Sequence, residues 1–128
     1  MSLPNQNNGK TVLVAVSDIF FYTKIRDALL PRGYRLERAR SQDEVHTKAI
    51  ALSPHAVILN MNDEKLDAFL VLTQIRQESR FASLPVLAFA NHEEVETWKR
   101  ARELGITKIV SRNEFSARTL ALVEEVMA

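Results

Sequence analysis

The sequence predicts one α/β domain, a (βα)5 doubly wound sheet of five parallel strands, and three observations predict it. Five short runs rich in β-branched and apolar residues alternate with stretches that carry a helical apolar stripe. Three of those runs are apolar nearly throughout, as strands covered on both faces should be. The linkers are short, and right-handed crossovers between parallel strands leave few other topologies.

Each element has its own warrant. Residues 1–9, with Pro4, Asn5, Asn7 and Asn8, show no periodicity and read as a disordered leader, which leaves 10–128 as the domain. Strands are expected at 11–16, 34–38, 56–60, 85–89 and 107–111, with the first, third and fourth central. Phe21, Ile25, Ala28 and Leu29 fall at i, i+4, i+7 and i+8 and give the first helix a face for the sheet. Pro31 and Gly33 stop that helix, and Pro54 precedes the third strand. A fourth helix is expected at 93–104, with Trp98 towards the edge of the stripe formed by Ala101 and Leu104, and Gly105 as its αL cap. Phe115, Thr119, Leu122, Val123 and Val126 repeat the stripe in the last helix.

Composition narrows the function. A chain of 128 residues is one domain's length, and 46% hydrophobic with 26% charged residues is the balance of a soluble globule. No apolar run approaches the roughly 20 residues of a spanning helix, and no secretory signal opens the chain, so no membrane role is expected. The absence of cysteine excludes disulfides and thiolate metal sites and fits a cytoplasmic setting. A net charge of +1 gives no field to attract nucleic acid, and no direct nucleic-acid binding is expected. Arg32, Arg35, Arg38 and Arg40 read as a solvated strand edge that resists pairing. His46, His55 and His92 are too scattered for a metal or catalytic cluster. With glycine only at 9, 33 and 105, no P-loop or dinucleotide fingerprint can be built.

In an open parallel sheet, ligands gather beyond the carboxyl ends of the strands. Here those ends carry Val16 to Asp18, Asn60 to Asn62, Ala90 with Asn91, and Ser111 to Asn113. The run Val12-Leu13-Val14-Ala15-Val16-Ser17-Asp18, the run Pro54-His55-Ala56-Val57-Ile58-Leu59-Asn60, the segment Leu66-Asp67-Ala68-Phe69, the run Leu84-Pro85-Val86-Leu87-Ala88-Phe89-Ala90 and the stretch from Leu104-Gly105 through Arg112 together carry a resemblance. From Val12 to about Met127 the chain resembles the receiver domain of bacterial two-component response regulators, the CheY-like branch of the flavodoxin-like folds.

Laid along that family, the chain departs at nearly every reactive position. The resemblance places the phosphoacceptor aspartate on Asn60, the acidic pair on Val16 and Ser17, the switch hydroxyl on Ala90, the phosphate-pairing lysine on Arg112 and the following proline on Asn113. A slip of one residue brings Asp18 into the acidic pair and rescues one carboxylate at best. A carboxamide is a far weaker nucleophile than a carboxylate. Mg²⁺ needs oxygen ligands that Val16 cannot offer, so its binding is expected to be lost and no cofactor is expected. Arg112 offers a planar fork where the family has a compact ammonium. Ala90 has no hydroxyl to follow a phosphate.

The expectation is therefore a pseudo-receiver, not an enzyme, which works in phosphorelay signalling through protein contacts. Its partner is a signalling protein or a fused effector or kinase domain. The resemblance places the output and homodimer face on the fourth helix, fifth strand and fifth helix, around Trp98, Ile109 and Leu120. Two rivals stay open: a receiver phosphorylated on a displaced carboxylate such as Asp63, and a flavodoxin-like small-ligand binder, for which Ser17-Asp18-Ile19-Phe20 lacks a phosphate cradle. Asn60 reads either as a corner of a remodelled site or as a strand-end amide that satisfies loop backbone groups. Asp18, Asp63, Glu64 and Asp67 read as helix caps and solvated loops. Arg112 is expected to salt-bridge Asp18 or Asp63 in place of the metal. Phe21 reads as core, and for Ile19, Phe20 and Tyr22 packing is favoured over exposure.

Overall fold

The structure, a computed structural model, describes residues 9–128. Of the expected leader only Gly9 lies among them, and its N–H donates to Gly33 O at 3.2 Å, which ties it to the folded unit. The strands are β1 (Thr11–Ala15), β2 (Arg35–Ala39), β3 (Ala56–Asn60), β4 (Val86–Ala90) and β5 (Lys108–Ser111). The helices are α1 (Ile19–Leu29), α2 (Gln42–Leu52), α3 (Ala68–Gln77), α4 (Val95–Glu103) and α5 (Arg112–Met127). All strand pairings are parallel, in the order β2-β1-β3-β4-β5, which is the (βα)5 doubly wound sheet with the first, third and fourth strands inside.

Alternation along the strands sorts the core into two layers. Leu13, Ala15, Val57, Leu59, Ala88 and Ile109 point to one face, where Val45 and Ala49 of α2, Val71, Leu72 and Ile75 of α3, and Ala101 of α4 cover them. Val12, Val14, Ile58, Leu87, Phe89 and Val110 point to the other, under Phe21, Ile25 and Leu29 of α1 and Phe115, Leu122 and Val123 of α5. β3 and β4 are buried at every position because both faces are covered.

Several boundaries move by a residue or two, each for a local reason. β2 begins at Arg35, whose partner is Thr11, and Tyr34 is buried just ahead of it. Pro85 lacks an N–H and contributes only its carbonyl, which accepts from Val57 N at 2.9 Å. α4 starts at Val95 rather than 93, because residues 91–94 close a turn through Glu94 N and Asn91 O. Its end is the expected glycine cap: Gly105, at φ 89°, donates to Arg102 O while Ile106 N donates to Ala101 O, the paired bonds of a Schellman motif. Arg76 fastens that corner, donating to Phe81 O, Leu84 O and Gly105 O at 3.1, 2.9 and 2.9 Å, and burial lowers its guanidinium pKa. In α5 the backbone departs from helical values at Arg118, one residue before Thr119, whose hydroxyl donates to Phe115 O at 2.6 Å. Such back-bonding bends helices.

Candidate functional site

The carboxyl ends of β1 and β3, with the loops that follow them and the first turn of α5, enclose a polar cleft of about 260 Å³. Ser17, Asp18, Asn60, Asp63, Lys65 and Arg112 line it. Of the positions singled out from sequence, Asn60, Ser17, Asp18 and Arg112 thus come together, with Asp63 between them. Val16 and Ala90 are fully buried in the two core layers and present nothing to the cleft.

Asn60 ends β3 as a turn-maker. Its Oδ1 accepts from Asn62 N at 2.9 Å, and its carbonyl accepts from Asp63 N at 3.3 Å. That local bonding is the habit that places Asn at strand ends. Asp63 is the most heavily bonded carboxylate of the cleft. It accepts from Ser17 N at 2.8 Å, Ser17 Oγ at 2.7 Å, Lys65 N at 2.9 Å and Leu66 N at 3.0 Å, and so binds the end of β1 to the loop after β3. Asp18 is the N-cap of α1, accepting from Phe20 N and Phe21 N at 2.8 and 3.2 Å, and Asp67 caps α3 by accepting from Leu70 N.

Arg112 corrects one expectation. It pairs with neither Asp18 nor Asp63, whose oxygens are turned to backbone and hydroxyl donors. Its guanidinium carbon sits 5.3 Å from the centre of the Phe21 ring. Beneath it Phe21 stacks on Phe89 at 4.5 Å, and Phe89 meets Phe115 at 4.6 Å, an aromatic cluster of the core under the start of α5. Phe21 is core as expected, whereas Ile19 and Phe20 are exposed at 50% and 80% rather than packed. As the first residues of α1 their side chains fall on its outer face, while Phe21 and Ile25 take the inner one. Tyr22 is half-buried under Arg38.

Arg38 is a second correction. Its strand is an edge, yet its side chain turns in over Tyr22 and donates to Val16 O at 3.3 Å and to Ser17 O, holding the end of β1. Alternation along β2 puts Arg38 on the face of Leu36, towards α1, and the exposed Arg35 on the opposite one.

A further network lay beyond sequence reasoning. Asn62 Nδ2 and Asn91 Nδ2 both donate to Glu94 Oε2, at 2.6 and 2.8 Å, and Asn91 N donates to Asn62 Oδ1 at 2.8 Å. The Asn91 carbonyl then accepts from Trp98 Nε1 at 2.9 Å. The strand-end loops are therefore joined by continuous hydrogen bonds to the aromatic side chain of α4. The signal available in sequence was the placing of Asn62 and Asn91 at two strand ends. Glu94 gave none, since its role depends on the turn at 91–94.

Trp98 is half-buried against the α2/α3/α4 layer, with Arg102 over its ring, and helps line a groove of about 300 Å³ with His92, Val95 and Lys99. Ile109 is buried in the same layer, while Leu120 packs on the α1/α5 side and borders a separate groove with Lys24 and Ala28. Ile109 lies on the edge strand β5, with Trp98 of α4 on one side of the sheet and Leu120 of α5 on the other. A divalent cation fits the cleft poorly. Asp18 Oδ1 caps α1 and Asp63 is bonded through both oxygens, and among the described residues no group of three or more His, Asp or Glu side chains is placed to hold a metal. No helix among them is long and apolar enough to cross a membrane.

No protein-family model matches the sequence, and no curated protein matches it. Solved structures do. The chain superposes on a protein of Chloroflexus aurantiacus assigned as a response regulator with a TM-score of 0.85 at 18% identity, over 94% of this chain and 98% of that one. The chemotaxis response regulator CheY4 of Vibrio cholerae gives 0.83 at 19% identity, over 93% and 99%. The receiver domain of NtrX from Brucella abortus gives 0.80 at 18% identity, over 91% and 97%. The sheet order, the two helical layers and these superpositions establish that the chain has the CheY-like fold of response-regulator receiver domains.

Proposed function

We propose that this chain is a pseudo-receiver, a signalling module of the two-component type that acts through protein contacts without aspartyl phosphorylation, Mg²⁺ or catalysis. The observation that carries this reading is the end of β3, where Asn60 supplies a carboxamide engaged in a turn instead of a free carboxylate. The surroundings agree with it: Val16 is buried, Ser17 is hooked to Asp63, and Ala90 has no hydroxyl. Asp63 is a poor displaced acceptor, because its two oxygens already take four hydrogen bonds and a nucleophile must shed such partners. Trp98 and Val95, with Lys99 and Arg102 beside them, offer an aromatic anchor for a protein partner.

The test is incubation with acetyl phosphate, and separately with beryllofluoride, in the presence of Mg²⁺, followed by intact-mass measurement and amide NMR. Unchanged mass and unchanged amide shifts are expected. A stoichiometric, Mg²⁺-dependent adduct refutes the reading, and peptide mapping of it to Asp63 would establish the rival.

A further inference from the structure

Three side chains close a ring between two strand-end loops. Asn62, after β3, and Asn91, after β4, both donate from Nδ2 to Glu94 Oε2, at 2.6 and 2.8 Å, and Asn91 N donates to Asn62 Oδ1 at 2.8 Å. The ring is fixed from outside as well. The Asn91 carbonyl accepts from Glu94 N at 3.2 Å and from Trp98 Nε1 at 2.9 Å, and Asn62 N donates to Asn60 Oδ1 at 2.9 Å. An end-for-end turn of the Asn62 amide would set its oxygen against the Glu94 carboxylate and its NH₂ against the Asn91 N–H, so one orientation alone satisfies every member.

Glu94 joins the two loops. It stands at the N-cap of α4, where the free N–H groups of a helix start favour an acid, yet its side chain accepts from none of them. Oε2 is turned to the two amides instead, and Oε1 meets Thr97 Oγ1 at 3.5 Å. Amide bonds to a carboxylate are of the stronger, charge-assisted kind. The same turn places the indole: Trp98 N donates to Glu94 O at 3.3 Å while the ring nitrogen reaches Asn91 O, and Arg102 lies over the ring at 5.6 Å. Ala90, the residue before this turn, is fully buried and carries no polar group that could exchange partners.

We propose that Asn62, Asn91 and Glu94 form a clamp that holds Trp98 in one position, so that the contact surface around it is preset and not switched. This rests on the pseudo-receiver reading and says how the surface of such a module is governed. Any rearrangement of the loop between β4 and α4 must first break the ring. The three residues are positioning residues, which act on a partner through Trp98, and an anchor fixed before contact loses less conformational freedom on binding.

The test is NMR of the full chain, with far-UV circular dichroism and urea denaturation to report the fold separately. In the unmodified chain the Trp98 indole N–H should show no relaxation dispersion, as a single state requires. Asn62→Ala and Glu94→Ala should each speed exchange of that N–H with water by about tenfold, with the far-UV spectrum unchanged. Asn62→Asp keeps the shape of the side chain, so it serves if a truncation fails to fold. It should act more strongly than Asn62→Ala, because it sets a second carboxylate against Glu94, and adding Glu94→Gln should reverse part of its effect by supplying a donor. A merely structural role would lower the urea midpoint without that rescue. Dispersion at the indole of the unmodified chain, exchange left unchanged by Glu94→Ala, or equal effects of Asn62→Asp with and without Glu94→Gln would overturn the clamp. Failure of the pseudo-receiver reading looks different: a covalent mass adduct after incubation with acetyl phosphate and Mg²⁺.

Discussion

Replacing Asp63 by alanine separates a structural tether from a reactive carboxylate. Asp63 collects four hydrogen bonds, two of them from Ser17 across 46 positions of sequence. A hydrogen bond to a charged group contributes about 1.5–3 kcal/mol in mutational series, and partial exposure lowers that range because water replaces the lost partner. Lys65 N is exposed and counts for little, so the Ser17 pair and Leu66 N dominate. The expected loss for Asp63→Ala is about 2–3 kcal/mol, against about 1 kcal/mol for Ser17→Ala, which removes only the hydroxyl bond. In the double mutant the two losses should fall short of additivity by about 1 kcal/mol, since the contact is shared. Urea denaturation followed by circular dichroism, with the m-value unchanged, measures all three. An Asp63→Ala loss below about 0.5 kcal/mol, or strict additivity with Ser17→Ala, would refute the tether, whereas a functional carboxylate held under strain would give a neutral or stabilised variant.

Three other outcomes follow from the packing. Arg76→Met keeps the aliphatic stem and strips three carbonyls of their donor, so a loss of about 2–3 kcal/mol is expected in the same assay, and a loss below about 0.5 kcal/mol would show that water already serves those carbonyls. Burial, aided by Glu124 and opposed by Arg32, raises the Tyr34 phenol above its ordinary value of 10.0. A raised folded pKa means stability that is complete below the unfolded pKa and lost as pH rises through the folded one. Melting temperatures should therefore fall above about pH 10, and Tyr34→Phe should flatten that limb; an identical slope in the variant would place its cause elsewhere. Ser53 ends α2 at φ 46°, a left-handed backbone that glycine adopts without strain. Ser53→Gly should stabilise by about 0.5–1 kcal/mol, even after loss of the exposed bond from Arg80, and destabilisation would contradict the strain.

The sheet was legible because its signal is carried by many residues at once. β3 and β4 are apolar at almost every position, and the short run Val57, Ile58 and Leu59 between Pro54 and Asn60 suits a strand covered on both faces. Gly105 and the stripe of α5 were equally plain. The cleft was legible at Asn60, Ser17, Asp18 and Arg112, since strand ends locate them before any side chain is placed. What escaped was the direction of individual side chains. Arg112 was expected to seek a carboxylate, but the helix start that brings it to the cleft also lays it on Phe21. Arg38 belongs to an edge strand by pattern and to the β1 carbonyls by reach.

The chain from Asn62 through Glu94 and Asn91 to Trp98 has a practical consequence. Trp98 is the sole tryptophan of the sequence, and its indole N–H is bonded to the carbonyl of Asn91, whose own N–H is held by Asn62. Indole emission responds to hydrogen bonding and to solvent at the ring. The molecule thus contains an intrinsic optical reporter, wired to the strand ends through Asn62, Glu94 and Asn91 and readable without any label.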